Sequence, residues 1–214
     1  MFQGKEVKQK KIILGVSGSI AAYKAGDIIR RLREESFAVS VIMTKEAEAF
    51  ITSLTLATLS GGRVYRDMFA GREYSDIESI RLGSASLTTS RSGFDPESNR
   101  RIEHISLADE ASLILIAPAT ANVIAKIAAG ICDDLLTTTV CASTSKVLIA
   151  PAMNENMYHN KIVKENIAKL EKIEYKFIPP RKGKLACGKT GEGCLAAVED
   201  IVKAVKNEIK KNGR

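Results

Sequence analysis

A chain of 214 residues that is 45% hydrophobic and 27% charged has the size and composition of one large α/β domain or two small ones, with enough apolar material for a core without staples. Collagen, coiled coil, mini-protein and global disorder are excluded on those grounds. The net charge of +7 is confined to the ends: four Lys and one Glu give residues 1–11 a charge of +3, and four Lys, one Arg and one Glu give residues 203–214 a charge of +4, leaving a neutral body.

Residues 11–15 (KIILG) are a short apolar run followed by a Gly/Ser turn and an amphipathic stretch over 21–35, which reads as strand, loop and helix. Residues 37–44 (FAVSVIMT) predict a second strand, and 45–59 return to helical spacing. A long segment, 71–101, rich in Ser, Thr and Arg, breaks the rhythm and is expected to be a surface excursion of the single domain. The run 113–117 (LILIA) predicts a buried strand that stops at Pro118, with a helix over 121–129. Residues 146–150 (KVLIA) repeat the pattern before Pro151, followed by a helix over 161–172, a short strand over 175–178 and a closing helix over 196–211. Continuous apolar strands alternating with helices indicate a parallel sheet covered on both faces, an α/β, Rossmann-type three-layer fold.

Basic tails on a neutral body, no Trp and 5% aromatic residues do not make a nucleic-acid surface. No apolar run reaches the roughly 20 residues of a membrane helix, and MFQGKEVKQKK carries no secretory segment, so a cytoplasmic location off the membrane is expected. Cys132, Cys141, Cys187 and Cys194 contain no C-x-x-C pair, so no metal site is expected.

In such a sheet the ligand lies beyond the carboxyl ends of the strands. Four of those ends carry unusual residues. Gly15-Val16-Ser17-Gly18-Ser19-Ile20-Ala21 allows close backbone approach ahead of a helix and reads as a phosphate cradle, in which a side chain at Gly18 would be in the way. It lacks the full G-x-G-x-x-G spacing, so a plain tight turn stays open. Thr44 offers a hydroxyl at the end of the second strand, either to the same phosphate or as a helix cap. Pro118-Ala119-Thr120-Ala121-Asn122 is a turn of small residues suited to a flat ring. Pro151-Ala152-Met153-Asn154 and the Gly-rich 183–193, with Cys187 in its middle, complete the set.

The segments G-V-S-G-S-I-A-A, I-A-P-A-T-A-N, P-A-M-N-x-x-M and L-A-C-G-x-x-G-x-G, in that order over 15–193, resemble the flavin-containing cysteine decarboxylases. Tyr158 stands where that family usually has Trp, and Cys194 where Arg is common. The resemblance implies a flavodoxin-like fold, FMN held by the first two segments and Ala152, and assembly into homotrimers with the flavin at subunit interfaces. It implies decarboxylation of a cysteine amide, phosphopantothenoylcysteine of coenzyme A biosynthesis. A synthetase domain is often fused to such proteins; this chain has no room for it, and whether a separate synthetase chain partners it stays open. His104, in R-I-E-H-I-S-L, matches the family's base; Asn154 would hold the substrate carboxylate or amide with Met153 packed beside it. Cys187 matches the proton donor of the returning half-reaction, on a loop with Ala186 that closes over the substrate, and Lys184 and Lys189 would meet its phosphate. The structural alternatives are a surface histidine, a turn-forming asparagine and a buried thiol.

Three other readings are weaker. A peptidyl-cysteine decarboxylase stops at the oxidised enethiol and needs no donor such as Cys187. A flavin prenyltransferase is not expected to carry P-A-M-N-x-x-M together with L-A-C-G. A non-catalytic FMN-binding regulator could dispense with His104, Asn154 or Cys187, all of which are present.

Overall fold

The computed structural model describes residues 9–68, 103–184, 188 and 190–211. The excursion expected at 71–101, Ala186, Cys187, Lys189, the side chain of Lys184 and the extreme ends of the basic tails lie outside the described residues. The first apolar run forms β1 (Lys11–Val16) at the centre of a six-stranded sheet with β2 (Ala38–Met43), β3 (Val64–Tyr65), β4 (Leu113–Ala119), β5 (Val147–Pro151) and β6 (Lys176–Phe177). Their order is β3-β2-β1-β4-β5-β6, with every pair parallel. The chain reverses direction of travel across the sheet between β1 and β4, which opens a crevice at their carboxyl ends.

Both faces of β1 are buried, which is why its sequence is a continuous apolar run rather than an alternating one. Ile12, Leu14 and Val16 pack in one cluster with α1 (Ala25–Glu34), α2 (Ser53–Ser60) and α8 (Val198–Lys211). Ile13 points the other way, into a cluster with α3 (Glu103–Glu110), α4 (Ala121–Ala129), α5 (Leu135–Ala142) and α7 (Lys161–Lys172). All four β1 side chains are fully buried, each contributing about 1.5–3 kcal/mol of apolar transfer energy. The three-layer α/β expectation holds, and the helices over 121–129 and 161–172 match α4 and α7 at both ends.

Several elements differ from the sequence reading. The amphipathic stretch after β1 opens as a 3-10 helix, Ile20–Lys24, before α1 begins. The helix expected over 45–59 is split into a 3-10 turn, Lys45–Ala49, and α2, because Thr52 takes extended backbone and caps α2 through the Thr55 N–H (3.2 Å). The β4 strand does not stop at Ala117 but runs through Pro118 to Ala119. A register shift against β5 between Ile116 and Ala119 accommodates a residue with no N–H to give. Helix α5, sequence LLTTTVCA, has three threonines and no clear helical stripe; Asp134 starts it by accepting from Thr137 N–H (2.8 Å). The glycine-rich 183–193, expected as a loop, is largely an antiparallel hairpin of β7 (Arg181–Lys184) and β8 (Thr190–Cys194). Among the described residues no helix is long and apolar enough to cross a membrane, and no group of three or more His, Cys, Asp or Glu side chains is placed to hold a metal ion.

Candidate functional site

The carboxyl ends of β1 and β4 are tied together by Ser17. Its side chain is completely buried, its Oγ donates to Pro118 O (2.7 Å) and accepts from Thr120 N–H (3.0 Å), and its own N–H also donates to Pro118 O (3.2 Å). The hydroxyl is therefore spent on joining the first two segments. Ser17→Ala removes the acceptor of the part-buried Thr120 N–H and leaves Pro118 O without the hydroxyl donor, and should cost about 1–3 kcal/mol, seen as a lower denaturant midpoint; an unchanged midpoint would show that the joint is not needed.

Gly18 follows, and a side chain there would overlap Glu46 in the turn after β2 before it met any ligand. The absence of a Cβ is thus what lets the two loops touch. Ser19 caps the 3-10 helix, its Oγ accepting from Ala21 N–H (3.3 Å). Thr44 N–H donates to Val16 O (3.0 Å), which places Thr44 beside the start of this loop. Its Oγ1 makes no cap bond to the turn it precedes, and it is buried without a partner. A buried hydroxyl with no partner among the described residues is costly.

On the other side of the crevice, Thr120 caps α4 through Val123 N–H (3.4 Å), Ala119 and Ala121 are buried, and Asn122 is exposed on the first turn. Ala152 N–H donates to Ala119 O (2.9 Å), so the third segment lies directly against the second. Ala152 is buried, Met153 half-buried and Asn154 exposed. Asn154 Oδ1 caps the short helix α6 (Glu155–Tyr158) by accepting from Asn156 N–H (2.9 Å). The turn-forming role is real, and it uses the acceptor half of the amide; the donor half is what a carboxylate needs.

The fourth segment meets the third along β8. Met153 N–H donates to Gly193 O (3.0 Å), Glu155 Oε1 accepts from Glu192 N–H (3.0 Å), and Glu192 Oε2 pairs with His159 Nε2 (3.1 Å). Gly193, with φ of 151°, has no room for a side chain against Met153 O. Burial, followed by the nearby Arg181 guanidinium, holds the Lys24 ammonium below its ordinary range, with Cys194 pulling the other way. Burial and the Glu192 carboxylate push the Tyr158 phenol up, and Lys164 Nζ sits 3.7 Å from the centre of its ring.

His104 lies in the first turn of α3, half-buried, with Nδ1 shielded from solvent and without a partner. Its neighbour Glu103 pairs through Oε1 with Arg63 (2.8 Å), while Oε2 is buried unpaired. Arg63 and Thr44 line one cleft of about 580 Å³ together with Arg66, Met68, Asp133 and Asp134. The structure thus links the helix that carries His104, by way of Arg63, to a cleft that Thr44 also lines. Sequence reasoning missed Arg63, the Asp133-Asp134 pair and Glu155. For Asp134 a signal existed, since an Asp directly ahead of an apolar run is a helix-start pattern. The two carboxylates also hold Lys126 (2.8 and 3.3 Å), and the bond to Asp133 raises its pKa.

The flavoprotein family profile matches residues 3–210. The chain belongs to the flavoprotein family. Within it, a probable phosphopantothenoylcysteine decarboxylase of Streptococcus mutans is 39% identical over 202 residues, which are 94% of this chain and 99% of that protein. The coenzyme A biosynthesis bifunctional protein CoaBC of Bacillus subtilis is 43% identical over 203 residues, 95% of this chain but 44% of the relative. This flavoprotein chain spans less than half the length of the bifunctional relatives it matches. Among solved structures, a PPC decarboxylase mutant complexed with pantothenoylaminoethenethiol superposes with a TM-score of 0.75 at 28% identity, covering 94% of this chain and 98% of that one. The FMN binding protein AtHal3 gives 0.68 at 29% identity, covering 94% and 96%.

Proposed function

We propose that this chain, as one flavoprotein domain over 1–214, binds FMN at the carboxyl edge of its sheet and decarboxylates phosphopantothenoylcysteine to phosphopantetheine in coenzyme A biosynthesis. The observation that carries the reading is the convergence of the Ser17, Pro118 and Ala152 segments on one crevice, beside a buried Thr44 hydroxyl that has no partner among the described residues. These residues fit the cofactor. Gly18 and Ser19 allow a phosphate to approach the start of the helical run, Thr44 Oγ1 completes the cradle, and Pro118, Ala119, Thr120, Ala121, Asn122 and Ala152 form a wall of small residues for the ring. Ser17 keeps the two walls in register.

When bound, FMN supplies a reversible hydride acceptor, which lets the substrate's sulfur-bearing carbon become an electron sink for loss of CO₂. His104 takes the proton that leaves the substrate thiol as that carbon is oxidised to the thioaldehyde level; imidazole titrates near neutrality and suits the work. Asn154 orients the carboxylate through its NH₂ without adding a positive charge that would hold the anion back, and Met153 packs beside it. Breaking the bond to the carboxyl carbon sends its electron pair into the thioaldehyde and leaves an enethiolate. In the return, for which bound FMN would supply the hydride, Cys187 would give its thiol proton to the carbon that lost CO₂, and water would restore the thiol. Lys184 and Lys189 meet the substrate phosphate from the clamp that includes Ala186. A homotrimer, a synthetase partner and a cytoplasmic setting complete the proposal, the synthetase supported by the bifunctional relatives.

The cofactor half is tested by the visible spectrum of the purified protein and by titration with FMN. A yellow or reconstitutable protein is expected; a colourless one that takes up no FMN overturns the reading. Thr44→Val removes an orphaned hydroxyl at constant shape. It should leave the flavin-free protein as stable as before or more so, while weakening FMN roughly tenfold, the equivalent of about 1.5 kcal/mol for one bond to a charged phosphate. Unchanged FMN affinity removes Thr44 from the cradle.

A further inference from the structure

Helices α4 and α5 are joined by residues 130–134, and Cys132 stands in the middle of that connection. Gly130, with φ of 70°, ends α4 and Asp134 starts α5, so the connection is fixed at both ends. The Cys132 side chain is turned toward α5: Sγ donates to Gly130 O (3.6 Å) and to Thr137 O (3.9 Å). The second contact decides where the thiol lies. In an α-helix the carbonyl of Thr137 faces the N–H of the residue four positions on, which is Cys141 in the last turn of α5, and the Cβ of that residue tilts back toward the helix start. A thiol at that carbonyl therefore sits beside the Cys141 side chain, and the two thiols meet in a hydrogen bond. Both cysteines are free and exposed, so a small oxidant reaches them without unfolding.

We propose that Cys132 and Cys141 are a redox pair that closes to a disulfide, stapling the Asp133-Asp134 wall of the cleft to the last turn of α5. The oxidant is a peroxide. The Cys141 thiolate attacks one peroxide oxygen, breaks the O–O bond and becomes a sulfenic acid, while the other oxygen leaves as hydroxide and takes up the thiol proton. The Cys132 sulfur then attacks the oxidised sulfur and its proton goes to the departing hydroxyl, so that two thiols and one hydrogen peroxide become one disulfide and two waters. Desolvation around Sγ first, and then the bond to Cys141, raises the Cys132 thiol above its ordinary range, which suits the partner that acts second. Cys132 directly precedes Asp133 and Asp134. These hold Lys126 (2.8 and 3.3 Å), Asp134 caps α5, and both line the cleft that Thr44 also lines. In the reduced protein the Cys132 carbonyl is held to the helix by one hydrogen bond, from Thr138 Oγ1 (3.2 Å), and the disulfide adds a covalent tie at the same residue.

The test uses the purified protein, reduced, exposed to hydrogen peroxide and then alkylated. Trypsin cuts after Lys126 and Lys146, so one peptide, 127–146, carries both thiols and neither Cys187 nor Cys194. By mass spectrometry this peptide is expected to lose two hydrogens and to refuse the alkylating agent after oxidation, and to regain both thiols with dithiothreitol. In Cys141→Ser the loss of two hydrogens disappears. Amide exchange over residues 132–138 slows roughly tenfold in the oxidised protein, because opening of the connection is then tied to opening of the helix. Neither readout needs substrate, so the outcome is independent of the decarboxylase reading. A peptide 127–146 that gains oxygen atoms, or that keeps both thiols under peroxide that oxidises free cysteine, overturns the pairing, as does linkage of two chains through either residue. An oxidised peptide with unchanged exchange overturns the stapling of the cleft wall.

Discussion

His104→Asn is expected to retain FMN and to lose CO₂ release from phosphopantothenoylcysteine by roughly 10²- to 10⁴-fold, the usual worth of a positioned acid or base. Asparagine fills nearly the same space and keeps a polar atom where Nδ1 lies buried, but it cannot take a proton near neutral pH. The residue sits in the first turn of α3, and the flavin site is proposed from other residues, Ser17 and Pro118 among them, so flavin content should not follow activity down. The neighbouring Glu103–Arg63 pair gives an internal comparison: Arg63→Ala should disturb the helix end without removing the base, and so should reduce turnover less than His104→Asn. Measuring the rate of CO₂ release and the bound flavin on the same samples checks both statements. Unchanged turnover would remove His104 from the chemistry.

The second large effect concerns what is made rather than how fast. Cys187→Ser keeps the size of the side chain and replaces a thiol by a far weaker acid. The variant should still release CO₂ but accumulate the oxidised aminoenethiol, two hydrogens lighter than phosphopantetheine, because the proton of the return step is no longer supplied. A thiol that only fills space would instead lower stability and leave the normal product. β8, which follows Cys187 in the sequence, is anchored to the Asn154 turn by Met153, Glu155 and His159.

The sheet was legible because parallel strands buried on both faces must be apolar throughout: KIILG, LILIA and KVLIA each announce a strand whatever surrounds them. The elements that escaped are those whose stability comes from partners distant in sequence. Val64–Tyr65 is a strand only because Val41 and Ile42 pair with it, and α5 is a helix because Asp134 caps it and Leu135, Leu136 and Val140 find the core. The hairpin was hidden for the opposite reason, since glycines that read as freedom are there to admit Glu155 and Met153 O. At the candidate site, the ordered motifs singled out the segments that the structure brings together at the carboxyl ends of β1, β4 and β5, but not the division of labour within them. That the Ser17 hydroxyl is consumed in joining β1 to β4, while the Thr44 hydroxyl is left without a partner, depends on three-dimensional pairing that no spacing encodes.

The most direct measurement of the central claim is a single turnover of the flavin-loaded protein with phosphopantothenoylcysteine, followed by mass spectrometry of the product. The account predicts conversion to a species lighter by one CO₂, identical to phosphopantetheine, with the visible absorption of the flavin restored at the end. Recovery of intact phosphopantothenoylcysteine from a protein that demonstrably holds FMN would contradict it.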